Sequence, residues 1–433
     1  MNKTNRFRFL FAAAAIACCG AARAEFVVEI TRGQSEAIPI AVVPFSSPEQ
    51  AAPFDVSQLV ADDLARSGRF KPMDRKDMID QPQTGATIVF DDWRRLNNDY
   101  ILVGQLSAQG PDRYNITFEL FNVLNHQRLV GYQIATNTAG LRLASHQVAD
   151  MVFDKIIGVR GAFATRIAYI SVLGRLPNKH YRLIVADADG ANPHVIMESN
   201  EPLMSPAWSP DGESLAYVSF EDRLPSIYVQ VLKTGERRRV SARAGVNQAP
   251  AWSPDGKKLA LTLSTRDGNL DIYVLDLTTQ ALTRITDDPA IDTEAQWSKD
   301  GQSLYFTSDR AGGPQIYRIS LAPGSHPRRL TFQGDYNARP RLSPDESQLA
   351  FVTQEQGAYR IATMDLRGRG DTQVLTKGRF DVSPSYAPNG AVIIYASRDH
   401  DRGVLAMVSA DGRVQQRLVS TEGEVQEPAW GPF

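Results

Sequence analysis

Pro206-Ala-Trp-Ser-Pro-Asp-Gly212 returns unchanged as Pro250-Ala-Trp-Ser-Pro-Asp-Gly256, and its outline recurs three more times. The altered copies are Ala295-Gln-Trp-Ser-Lys-Asp-Gly301, Pro340-Arg-Leu-Ser-Pro-Asp-Glu346 and Pro384-Ser-Tyr-Ala-Pro-Asn-Gly390, and a shortened phrase, Pro428-Ala-Trp-Gly-Pro-Phe433, ends the chain. The anchors Trp208, Trp252, Trp297, Leu342, Tyr386 and Trp430 are spaced by 44, 45, 45, 44 and 44 residues. A period of that length fits four short strands and their turns, which is one blade of a β-propeller. The Trp-bearing segment reads as a first strand. Ser-Pro-Asp-Gly then reads as a turn, because Pro presets φ, Asp bonds its own backbone and Gly takes positive φ cheaply. An apolar second strand follows each time, as in Leu215–Ser219 and Leu259–Leu263.

A sixth copy of the second strand, Ile167–Ser171, has no Trp phrase before it, while Pro428–Phe433 has no second strand after it. The two halves complete each other if the C-terminal strand closes the first blade, leaving no long free edge. The sequence therefore predicts a mainly β chain: a six-bladed propeller over residues 161–433, preceded by a small α/β domain over 25–160. In that domain the pattern predicts a buried strand at Ile38–Phe45 and a helix capped by Asp55. It also predicts a short helix from Asp91, a strand at Tyr100–Gly104, a hairpin turning at Asn125-His126 and a helix at Leu143–Ile157.

The first residues form a targeting segment. Lys3, Arg6 and Arg8 precede an apolar run from Phe9 to Cys19, and Ala22-Arg-Ala24 supplies small residues for cleavage between Ala24 and Glu25. Residues 1–24 are thus read as a signal peptide, with a lipidated Cys18 as the rival reading. Losing Lys3, Arg6, Arg8 and Arg23 takes the net charge from −2 to −6. That balance argues against nucleic acid, and no segment is apolar enough for direct membrane insertion. Both cysteines, Cys18 and Cys19, fall inside the signal, which leaves the mature chain without thiol chemistry.

Catalytic patterns are absent from the sequence. It has no Gly-x-Ser-x-Gly elbow, no closely spaced histidine pair for zinc and no glycine-rich phosphate loop. A propeller-containing hydrolase, or a small-molecule enzyme using the channel, is the alternative these absences disfavour. No cofactor is expected. Asp287, Asp288, Asp292 and Glu294 form an acidic cluster that reads either as a calcium site or as a solvated loop facing a partner.

The order signal, α/β domain, six blades and C-terminal Pro-Ala-Trp resembles the TolB family of Tol–Pal systems over essentially the whole mature chain. The residues carrying the resemblance are Gly245–Gly256, Asp292–Gly301, Ser383–Gly390 and Glu427–Phe433. Leu342 and Tyr386 depart from Trp at two anchors. The resemblance implies a non-enzymatic periplasmic scaffold that supports outer-membrane integrity and envelope constriction during cell division. It implies that the lipoprotein Pal binds one mouth of the propeller and TolA binds the mature N-terminus, and it leaves room for other outer-membrane proteins.

The loops that enter the first strands would form one rim, and loops on a repeating scaffold are where binding residues collect. The rim residues expected to meet Pal are Val246, Asn247, Asp292, Thr293, Glu294, Asp335, Tyr336, Asn337, Phe380, Asp381 and Glu424. The segment expected to meet TolA is Glu25, Phe26, Val27, Val28, Glu29 and Ile30. Its strand-like alternation ahead of the first buried strand reads as an arm that pairs with a partner's sheet edge, or as an edge strand of the N-terminal sheet.

Overall fold

The computed structural model describes residues 26–32, 37–47, 53–175, 177–264, 267–368, 370–400, 402–420 and 423–433; for 26–32, 419 and 420 it describes the backbone alone. The signal, including Ala24, and Glu25 of the expected arm lie outside the described residues.

Six four-stranded antiparallel units make the propeller. Their innermost strands are Leu203–Trp208, Asn247–Trp252, Asp292–Trp297, Asn337–Leu342, Val382–Tyr386 and Glu424–Trp430. The last of these pairs with Arg166–Leu173, so both ends of the propeller meet in one blade. The repeat phrase explains each blade locally. Ser209 Oγ bonds Asp211 Oδ1 at 2.5 Å, Asp211 Oδ1 accepts from Glu213 N, and Gly212 takes φ +69°. Ser343 and Asp345 repeat the arrangement, with Glu346 at φ +55° where other blades have Gly.

The anchor tryptophans join neighbouring blades. Each indole N–H donates to the first strand of the blade before it: Trp208 to Ala429 O, Trp252 to Ala207 O and Trp297 to Ala251 O, at 3.0, 3.1 and 3.0 Å. Trp430 differs: its indole donates to Thr165 Oγ1 at 2.9 Å, beside the second strand of its own blade, and its backbone N–H donates to Ser385 Oγ of the blade before. Where Leu342 stands instead, its own N–H is held by Gln296 Oε1 of the preceding blade at 2.7 Å.

The N-terminal domain is a mixed sheet in the order Phe70–Pro72, Ile38–Val42, Tyr100–Ala108, Arg113–Asn122 and Arg128–Asn137. Helix α1 (Val56–Arg66) starts at Asp55, whose carboxylate accepts from Gln58 N, as expected of an N-cap. Helix α2 is Phe90–Arg95. Helix α3 spans Leu141–Ile157 and ends on Gly158 at φ +82°. One sheet face packs on α1 and α3 through Val60, Leu64, Phe118, Val148 and Val152; the other packs on Trp93 of α2.

Within a blade, the turns after the first and third strands lie on the same side. The N-terminal domain meets the propeller there. Arg69 pairs with Asp411 at 3.6 Å, Arg142 pairs with Asp187 at 3.3 Å, and Asn389 Nδ2 donates to Arg160 O at 3.0 Å. A cavity of about 480 Å³ remains in the junction, walled by Phe153, Ile157, Phe163, Met407 and Trp430 among others. The rim loops therefore open at the opposite, uncovered mouth.

Residues Phe26–Arg32 form a strand, yet it is not part of the N-terminal sheet. It pairs antiparallel with Gln415–Ser420, the outer strand of the last blade, in the register Phe26 to Ser420 through Ile30 to Gln416. Several other outer strands are short, such as Leu282–Arg284 and Arg328–Arg329, or heavily charged, such as Arg237–Ser241; His194–Ser199 is as long as the strand the arm covers. Gln415–Ser420 has six residues and presents the kind of long edge that needs covering.

Candidate partner-binding rim and channel

Every innermost strand carries a bulge at an equivalent position, seen as a register shift against the second strand in all six blades. At each bulge a non-glycine residue sits in the left-handed region: Ser205, Ala249, Glu294, Arg339, Ser383 and Glu427, with φ between +50° and +58°. Left-handed backbone costs about 1 kcal/mol or more per ordinary residue. Its retention at six symmetric positions marks the channel wall as a built feature. The amides freed by the bulge are taken up by the neighbouring blade. Glu294 N donates to Thr262 Oγ1 at 3.2 Å, Arg339 N to Thr307 Oγ1 at 3.0 Å, and Ser205 N to Glu427 Oε2.

These six residues line a channel cavity of about 260 Å³. Arg339 is its charged centre. Its Nε lies 2.5 Å from Glu294 Oε1, a terminal nitrogen lies 3.9 Å from Glu427 Oε1, and Ser383 Oγ accepts from it. Burial works against its charge, but Glu294 and Glu427 outweigh that and hold the guanidinium above its usual range. Arg341, two residues further along the same strand, is held below its usual range by burial.

The channel opens into a second cavity, on the rim, of about 420 Å³, which shares Arg339, Ser383 and Glu427 with it. Its wall is aromatic. Tyr336 meets Tyr359 edge-on at 5.3 Å, Tyr359 meets Phe380 at 5.8 Å, and Arg398 lies over Phe380 at 4.9 Å. Phe380 is 39% exposed, and burial raises the Tyr336 phenol above its usual pKa. An apolar wall with charged groups at its foot suits a peptide segment that carries both apolar and charged side chains.

The rim residues expected from the sequence divide into two sets. Glu294, Tyr336, Phe380 and Glu424 line the two cavities. Val246 and Thr293 are half-buried and Asp335 is exposed. Asn247, Asp292, Asn337 and Asp381 turn inward instead and shape their own loops. Asn247 accepts from Ser241 Oγ and donates to Arg243 O; Asp292 accepts from Arg310; Asn337 donates to Gln333 O; Asp381 accepts from Ser397 Oγ. Polar side chains that can satisfy a loop's own backbone do so when that loop is buried.

The four acids read as a calcium candidate are also dispersed. Asp287 pairs with Arg284 at 2.8 Å, Asp292 with Arg310 at 2.8 Å and Glu294 with Arg339, while Asp288 accepts from Ala290 N. Among the described residues, the compact acid–histidine group lies elsewhere, at Asp63, His146 and Asp189.

Sequence reasoning missed Arg339, Tyr359, Ser383, Arg398 and Glu427. For three of them the signal was present. Stacking the repeats places Arg339, Ser383 and Glu427 at the residue before the anchor phrase in each blade, in line with Glu294.

The comparisons agree with this architecture. Residues 153–433 match the TolB beta propeller domain and residues 26–129 the TolB amino-terminal domain. The Tol-Pal system protein TolB of Xanthomonas oryzae pv. oryzae (strain PXO99A) is 47% identical over 409 residues, covering 94% of this chain and 93% of that protein. Its counterpart in Xylella fastidiosa (strain 9a5c) is 47% identical over 410 residues, with the same coverage. The crystal structure of TolB from Acinetobacter baumannii superposes with a TM-score of 0.88 at 38% identity, covering 94% of this chain and all of that one. No helix among the described residues is long and apolar enough to cross a membrane. The chain belongs to the TolB family and is a component of a Tol–Pal system.

Proposed function

We propose that this chain is a non-enzymatic periplasmic scaffold, exported by the signal in residues 1–24. In this reading Pal binds the uncovered mouth of the propeller and TolA binds the N-terminal strand. Together they serve outer-membrane integrity and envelope constriction during division.

The supporting observation for Pal is the aromatic rim cavity continuous with the Glu294–Arg339–Glu427 cluster, on the face the N-terminal domain leaves free. Tyr336, Phe380 and Glu424 contact the partner at the rim, and Glu294 and Arg339 form the charged floor beneath them. Val246, Thr293 and Asp335 flank this surface, while Asn247, Asp292, Asn337 and Asp381 hold its loops in shape.

For TolA the support is the edge position of Phe26–Arg32. An edge strand can add to a partner's sheet, where main-chain bonds supply affinity and alternate side chains supply specificity. Any influence of Pal on the arm's docking is matched by an equal influence of the arm on Pal.

Calorimetry on the mature chain tests both contacts. Glu294→Arg sets a like charge beside Arg339; it should weaken Pal at least tenfold, leave the circular dichroism unchanged and spare TolA. Deleting residues 25–36 should abolish TolA binding and retain Pal. Unchanged Pal affinity after joint reversal of Glu294, Asp335 and Glu424 would move the site elsewhere, and TolA binding by the deletion would reject the arm. Hydrolysis of a peptide library would favour the enzyme reading.

A further inference from the structure

The junction between the domains holds a buried charged group that partner binding at the rim does not use. His146 of α3 is 1% exposed, with a carboxylate facing each ring nitrogen. Nδ1 lies 2.6 Å from Asp63 Oδ2 of α1. Nε2 has no hydrogen-bond partner and lies 3.8 Å from Asp189 Oδ2, on the propeller turn that follows strand His180–Asp187. The other charged groups here are Arg142 and Asp150 on α3, Arg66 on α1 and Asp187 on the propeller turn. Arg66 pairs with Asp63 and approaches Asp189 to 4.0 Å, and Arg142 pairs with Asp189 and Asp187. Four carboxylates thus meet two arginines. A protonated imidazole brings the group closer to balance and points an N–H at both domains. A neutral one turns a lone pair on either Asp63 or Asp189.

The same helix touches the strand that carries the N-terminal arm. Gln416 Nε2 donates to Arg66 O at the C-terminal end of α1, while the Gln416 backbone is the register partner of Ile30. Gly68 approaches Val414 so closely that a Cβ there would lie 2.4 Å from its Cγ1. The arm is also tethered across the junction, since residues 33–37 alone separate Arg32 on the propeller from Ile38 in the N-terminal sheet. The junction is not close-packed, because the cavity of about 480 Å³ adjoins it. Domain contacts of this kind permit relative motion.

We infer that His146 is a proton-controlled latch between the domains: its protonated ring bridges Asp63 and Asp189, and its deprotonation loosens α1 from strand Gln415–Ser420 and so frees the arm Phe26–Arg32. The direction of titration fits. Burial opposes the charge on His146, but Asp63 and Asp189 outweigh it and raise its pKa. A raised pKa means that the latch is fully present below the unfolded value of 6.5 and is lost as pH rises through the folded value.

The test is hydrogen exchange on the full mature chain from pH 6 to 9, corrected for intrinsic exchange, and it needs no partner. In the wild type, protection of 26–32 and 415–420 should fall about tenfold per pKa unit of stabilisation as His146 titrates, while the central strand Lys258–Ser264 stays protected. His146→Gln should show low protection of the arm at every pH, with Asp189→Asn behaving alike from the propeller side. Protection of the wild-type arm that is flat across this range overturns the latch. So does a wild-type profile in both variants. Because the wild-type profile is itself decisive, failure of a variant to fold does not shelter the proposal.

Discussion

Removing Glu427–Phe433 tests whether the ring depends on its last strand. The deletion takes away the indole of Trp430 and the partners of several groups that remain. Trp208 Nε1 loses Ala429 O, Thr165 Oγ1 loses Trp430 Nε1, Ser385 Oγ loses Trp430 N, Arg166 O loses Gly431 N, and Ser205 N loses the Glu427 carboxylate. Five hydrogen bonds at about 1 kcal/mol each make about 5 kcal/mol. Losing a large aromatic from a blade interface adds about 3 kcal/mol. A loss near 8 kcal/mol is comparable to the whole stability of an ordinary domain, about 5–15 kcal/mol. At about 1–2 °C per kcal/mol for a propeller or mature chain of this size, Tm should fall by roughly 10–15 °C. The inner edge at Arg166–Ala168 is laid bare as well, so the truncated protein should aggregate on heating. Differential scanning calorimetry of the mature and truncated proteins reads both effects. A truncated protein that melts within a few degrees of the parent would refute closure by the C-terminal strand.

Three other outcomes follow from single features. Trp252→Phe keeps the ring packing but leaves Ala207 O without its donor, so urea unfolding should report a loss of about 1 kcal/mol. Mass spectrometry of the exported protein should find Glu25 at the N-terminus, whereas a diacylated Cys18 would make it a lipoprotein. Burial lifts Asp150 to about 6 against the pull of Phe163 N and Ala164 N. An acid with a raised folded pKa stabilises in its neutral form, so this contribution is full below pH 3.8 and is lost by about pH 6. Asp150→Asn should flatten that part of the stability profile, measured by chemical denaturation between pH 4 and 7.

Much of this molecule was legible in the chain because its information is local and repeated. Ser-Pro-Asp-Gly makes its turn with its own hydroxyl, carboxylate and backbone, and the period of 44 or 45 residues counts blades without reference to anything distant. The unpaired phrase at Pro428 foretold the strand pairing because one blade lacked a piece that another place in the chain supplied. The asparagines and aspartates of the rim show where such reading stops. Val246 and Asn247 are neighbours in one loop, yet Asn247 turns inward to bond Arg243 and Ser241. Polar type does not reveal whether a group will satisfy its own loop or face outward.

Tertiary structure alone decided the rest. Glu294, Arg339 and Glu427 meet because strands from three blades converge on one axis, although the last two are 88 positions apart. The arm lies along the edge at Gln415–Ser420, nearly four hundred residues away, although Phe70–Pro72 and Arg128–Asn137 are edge strands of its own domain's sheet. His146 gained a carboxylate on each side only when a helix from one domain was laid against a turn from the other. A repeat fixes what each blade is, since its contacts lie within reach of its own turns. Which side chains share the axis, and what covers an edge, depends on the closure of the ring and the docking of two domains.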